Sequence, residues 1–180
     1  MTLTAQPPQI TSKTLRSVLK FFTSCTFIMC ISTTAIAKEM IGWVENVGVY
    51  PGKVVIKAKI DSGADSSSIN SKSSTLYNRS GEQWVKFSIT DIHGNLVTFD
   101  KKIVRNVKVK RNFGEKQKRA VVRMGICIGN QYGETNISLI DRSEFNYNLL
   151  IGRNFLQGKF VIDPSLTFMS KPQCSVIDPK

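Results

Sequence analysis

The residues of this chain best suited to chemistry are Asp61-Ser62-Gly63-Ala64-Asp65. Asp61 offers a carboxylate that can give and take a proton, with the Ser62 hydroxyl beside it and Gly63 next in line. Hydrolysing a peptide with carboxylates takes two of them sharing one proton, because like charges about 3 Å apart cannot both ionise. Such a pair titrates as a unit. No second loop of this kind occurs: Asp91, Asp100 and Asp141 lack a following Gly, and Asp163 is followed by Pro. The chain thus carries half of such a pair. The same residues also suit an ordinary surface turn, since Asp, Ser and Gly are common turn formers.

The elements around the loop are strands. Val54, Ile56, Ala58 and Ile60 alternate with polar residues, the period of a strand with one buried face, and Asp61 closes it. Gly63 is expected to take backbone angles closed to other residues. Further short strands are expected at 41–45 and 47–49, at 83–90 with Trp84, Phe87 and Ile89 toward the core, and at 96–99, 103–111, 119–128 and 134–140. Asn112-Phe113-Gly114-Glu115 reads as a hairpin turn, and Ser66–Ser80 as loop with one short strand near Ser68–Ile69. Tyr147–Ile151 is an apolar strand ending at Gly152, after which Arg153-Asn154-Phe155-Leu156 starts the one convincing helix. Short strands separated by turn signals predict a small β-barrel or sandwich.

Residues 1–37 have the layout of a signal peptide: Lys13, Arg16 and Lys20, an apolar run from Phe21 to Ile31, then Ala35-Ile36-Ala37. Cleavage is expected after Ala37, giving a periplasmic or secreted protein without a stable membrane span. The run is short for a span, retention as an anchor being the alternative. The leader takes Cys25 and Cys30 with it. Cys127 and Cys174 remain, either paired in an oxidising compartment or as separate thiols. Two cysteines and one histidine make a poor metal set, and His93 fits a Gly-Asn turn. The net charge of +12 invites nucleic acid or other anionic partners. The cations are spread along strands, however, and exposed rings for base stacking are few, so no nucleic-acid partner is expected.

Asp61-Ser62-Gly63-Ala64 and Leu150-Ile151-Gly152-Arg153-Asn154 together resemble the catalytic loop and the hydrophobic-hydrophobic-Gly segment of retropepsins. Ile41-Gly42-Trp43, Lys57–Ala64, Gln83–Phe87, Leu150–Arg153 and Gly158–Pro164 are similar to a bacterial retropepsin-like group often labelled "ATP-dependent zinc protease" and found near ATP-grasp ligases. That group usually carries Arg where this chain has Asp65. Asp65 with Arg153 resembles instead the viral pattern, in which the two form an ion pair near a dimer interface.

The resemblance implies a mainly β fold: a small closed retropepsin-like barrel at 38–165 with a flap hairpin and one short C-terminal helix, followed by a flexible tail at 166–180. It implies an aspartic endopeptidase acting on peptides or proteins as a homodimer, with Asp61 of both subunits as the dyad and no metal or cofactor. Ser62 would brace the two loops, Gly63 would let backbone approach the substrate closely, and Ala64 would complete the supporting loop. The flap would span about Arg105–Arg119 with its tip at Asn112, Phe113, Gly114 and Glu115, unless this is an ordinary solvated hairpin. Its cations would favour acidic peptides. The alternative function is a non-catalytic peptide-binding module of the same fold.

Overall fold

Alternation of apolar and polar residues governs the architecture. The computed structural model describes residues 37–71, 73–110 and 116–175. Within them the chain runs β1 (Glu39–Tyr50), β2 (Val54–Ile60), β3 (Ser67–Asn70), β4 (Ser74–Arg79), β5 (Glu82–Thr90), β6 (Leu96–Lys110), β7 (Lys116–Ile128), β8 (Gln131–Ile140), β9 (Leu149–Ile151), α1 (Arg153–Leu156) and β10 (Phe160–Thr167). In β2 the alternation holds residue by residue: Val54, Ile56, Ala58 and Ile60 are buried and Lys57 is exposed.

Strands β1, β2, β9, β3, β8 and β7 pair in that order, and β7 pairs back onto β1, closing a six-stranded mixed barrel. The closure leaves no open edge within the ring. β2 runs parallel to β9, and β3 parallel to β8. The interior is filled by Ile41, Val47, Ile56, Ile69, Met124, Ile126, Ile137, Leu149, Ile151 and Phe155, all nearly inaccessible. β4, β5 and the first half of β6 form a meander whose Val85, Phe87, Ile89 and Phe99 join the same core. After Lys102, β6 leaves β5 and pairs with β7 as a hairpin from Ile103↔Val122 to Lys110↔Lys116, with a bulge between Ile103 and Arg105. The expected flap tip, residues 112–115, lies outside the described residues.

Several expectations are corrected. The Ser66–Ser80 stretch holds two strands, β3 and β4, rather than one short one. The separate pieces read at 96–99 and 103–111 are one bent strand. Trp84 does not share a face with Phe87: positions 84 and 87 are an odd number apart, so they point to opposite sides of β5. Trp84 lies under the Arg79 guanidinium, 4.8 Å from it, while Val85, Phe87 and Ile89 fill the core.

The stretch from residue 166, expected as a loose tail, is tied as far as Cys174. β10 continues to Thr167 alongside β1. Beyond it Glu45, fully buried, accepts hydrogen bonds from the backbone N–H of Gly42, Met169 and Ser170 at 2.7, 3.0 and 3.0 Å and from the Ser170 hydroxyl at 3.2 Å. Such donors are what a carboxylate needs to be tolerated in a core. Cys127 and Cys174 form a disulfide, which resolves the open question of their pairing.

Candidate active site

Asp61 stands where β2 ends, and its surroundings hold the loop by backbone hydrogen bonds. Its N–H donates to Ile151 O on β9 at 2.9 Å, and the N–H of Ala64 returns to Asp61 O at 3.2 Å. The chain leaving β9 then meets the loop from the other side. Arg153 N–H donates to Ala64 O at 2.8 Å and Asn154 N–H to Asp65 O at 3.0 Å. Gly152 is required at this crossing, because a Cβ there would lie 2.7 Å from the carbonyl carbon and oxygen of Ser66 and 2.9 Å from Ala64 O. The apolar-apolar-Gly pattern is thus the signature of a close backbone approach.

Gly63 corrects another expectation. Its φ lies outside the left-handed region. Its N–H donates to Asp61 Oδ1 at 3.0 Å, and a Cβ would sit 3.2 Å from that oxygen. Space beside the carboxylate, rather than backbone angle, favours glycine.

Arg153 ties the loop from its other end. Nη1 donates to Ser62 O at 2.8 Å and to Gly63 O at 3.1 Å, and Nη2 pairs with Asp65. The structure therefore brings Asp61, Ser62, Gly63, Ala64, Asp65 and Arg153 into one unit. A polar cluster supports it from below: Ser67 Oγ donates to Asn154 Oδ1 at 2.8 Å and accepts from Gly152 N–H, and Asn154 Nδ2 donates to Thr135 Oγ1 at 2.7 Å.

The loop opens on two adjoining hollows. A cleft of about 710 Å³ lies between the loop and the β6–β7 hairpin, bounded by Ala64, Arg105, Val107, Arg119, Glu134 and Arg142. A second of about 360 Å³ is bounded by Trp43, Lys59, Asp61, Arg142, Tyr147 and Leu150. Asp61 is about a quarter exposed, and Lys59 Nζ lies 3.3 Å from its Oδ2.

Arg142 borders both hollows and was missed in the sequence. It is nearly inaccessible. Its Nη1 donates to Ser68 Oγ at 2.9 Å and Nε to Tyr147 O at 3.0 Å, and its guanidinium lies over the Phe145 ring. Burial lowers its pKa, the positive charge of Arg119 adds to that, and the Asp61 carboxylate opposes it. Asp141-Arg142-Ser143 reads as a polar surface loop, so no local pattern announces a buried guanidinium. Lys59 was likewise visible only as the outward residue of a half-buried strand.

A closed barrel with a carboxylate loop braced by an apolar-apolar-Gly segment, facing a cleft beneath a hairpin, defines a retropepsin-like protein. The chain belongs to the RimB-like family, described as retropepsin-like aspartic endopeptidase RimB, whose profile matches residues 40–173. A crystal structure of a Legionella pneumophila protein of unknown function superposes with a TM-score of 0.64 at 28% identity, covering 75% of this chain and 100% of that one. Proteins named probable alpha-L-glutamate ligase are also similar. The one from Shewanella pealeana is 33% identical over 120 residues, 65% of this chain and 26% of the relative. The one from Desulfotalea psychrophila is 29% identical over 136 residues, 73% and 29% respectively. The matched part is thus between a quarter and a third of these relatives' length.

Proposed function

We propose that the protein is an exported aspartic endopeptidase that works as a homodimer, with Asp61 of each subunit forming the dyad. The observation that carries this reading is Asp61 itself: a partly exposed carboxylate on a loop held by backbone hydrogen bonds, on the wall of a hollow of about 360 Å³ that adjoins the larger cleft bounded by the β6–β7 hairpin. Within one chain the partner carboxylate is not supplied by the obvious candidates. Asp91 is held by Asn95 within its own turn, Asp163 by Ser165 two residues on, and Asp100 on β6 by the Tyr77 hydroxyl of β4. A two-fold arrangement of identical subunits would supply it. In the dyad one carboxyl stays protonated as the acid while the other activates water for attack on the scissile carbonyl. The β6–β7 hairpin would cover an extended substrate and exclude water.

The arginines bounding the cleft favour acidic segments. The relatives named as glutamate ligases make glutamate the natural side chain to try first. The Cys127–Cys174 disulfide supports export, because such bonds persist in oxidising compartments.

A second reading is a peptide-holding module without catalysis. The relatives favour it, since a region matching this chain makes up a minor part of proteins named for ligation. Incubating the purified protein and Asp61→Asn with unstructured acidic and neutral peptides from acidic to neutral pH, alongside sedimentation at each pH, separates the two. Dimers that cleave only when Asp61 is intact support the peptidase. Folded dimers that bind acidic peptides without cutting them support the module.

A further inference from the structure

Lys59 is the penultimate residue of β2 and Asp61 the first residue past its end, two positions on, where the two side chains meet. The Lys59 ammonium touches Asp61 Oδ2 at 3.3 Å, while Asp61 Oδ1 accepts the Gly63 N–H at 3.0 Å. Both carboxylate oxygens are therefore engaged. The lysine is 44% exposed, on the wall of the smaller hollow beside Trp43 and Tyr147. It thus stays close enough to the carboxylate to matter and open enough to solvent to move.

The other charged or titratable groups around Asp61 are committed elsewhere. Arg153, at the start of α1, binds the Ser62 and Gly63 carbonyls and Asp65. Arg142, after β8, is fixed by Ser68 and Tyr147 and acts on Asp61 through its field. Tyr147, before β9, packs its ring edge-on against Trp43 at 5.9 Å. Of these groups Lys59 alone has an ion-pairing contact with the carboxylate.

We infer that Lys59 is a positioning residue whose charge sets the alkaline limit of activity, an inference that rests on the two-carboxylate reading above. The working dyad holds two carboxylates and one proton, with a single negative charge. When that proton leaves to solvent, two anions remain and no acid is left to complete the hydrolysis. A cation against each carboxylate stabilises the doubly ionised form, so activity is lost at lower pH than it would be without the lysines. The sign is fixed: removing Lys59 extends activity upward in pH and leaves the need for Asp61 intact.

The test is kcat/KM against pH for wild type, Lys59→Met, Lys59→Gln, Lys59→Arg and Asp61→Asn, on one acidic and one neutral peptide. Expected is an alkaline limb displaced upward in Lys59→Met and Lys59→Gln on both peptides, with Lys59→Arg overlaying wild type. Limbs that coincide with wild type overturn the inference. So does a change confined to KM for the acidic peptide, which would make Lys59 a substrate contact. Full activity in Asp61→Asn, or none in wild type, overturns the dyad itself and the inference with it, a result distinct from a failure of Lys59 alone.

Discussion

The Asp61 loop and the β6–β7 hairpin face each other across one cleft and are built in opposite ways. The loop is short and held on every side: β9 accepts its first N–H, α1 donates to its carbonyls, and Arg153 and Gly152 leave it no room to shift. The hairpin beyond Asn106 is held by the pairing of its own two strands, with outward Lys108 and Lys118 and only half-buried Val107 and Val109. Fixed geometry is what positions a reacting carboxylate, whereas a cover must open and close. Local stability in proteins divides along such lines. The contrast teaches that this barrel holds the Asp61 side of the cleft by backbone packing from β9 and α1 and leaves the hairpin side to the pairing of its own two strands.

Breaking the loop should have the largest effect. Gly152→Ala forces a Cβ into the Ser66 and Ala64 backbone, and overpacking of that kind should cost about 3 kcal/mol by urea denaturation. Loss of cleavage should exceed what the unfolded fraction explains. Arg142→Met should have the next largest effect, because it strips the buried Ser68 hydroxyl and Tyr147 carbonyl of their donor. About 2 kcal/mol should be lost, and KM for acidic peptides should rise.

The smallest stability effect belongs to the hairpin. Arg105→Ala removes an exposed cation and should change stability by no more than about 0.5 kcal/mol. Cleavage of acidic peptides should nevertheless weaken severalfold relative to neutral ones. If Arg105→Ala destabilised the protein as much as Gly152→Ala, the division between rigid loop and covering hairpin would be lost.

The loop was legible in the sequence because both halves of it are local. Period-two alternation marks β2, Asp-Ser-Gly ends it, and Leu150-Ile151-Gly152 before a helix start marks the segment that meets it. What escaped is set by distant partners. The parallel pairing of β10 with β1 joins residues some 120 positions apart, such as Glu39 and Phe160, with no local signal. β4 has an almost wholly exposed face and few apolar residues, so its strand character comes from pairing with β5. Glu45 reads as a surface residue between Val44 and Asn46, yet it is buried because residues 169 and 170 bring their N–H groups to it. Arg142 is hidden for the same reason, its partners lying on β3 and just before β9.

The most direct test of the central claim is cleavage of an unstructured acidic peptide by the purified protein and by Asp61→Asn across acidic to neutral pH, with and without a metal chelator. The account predicts cleavage by wild type that the chelator leaves untouched and that Asp61→Asn abolishes. Equal cleavage by both proteins, or its loss with the chelator, would contradict it.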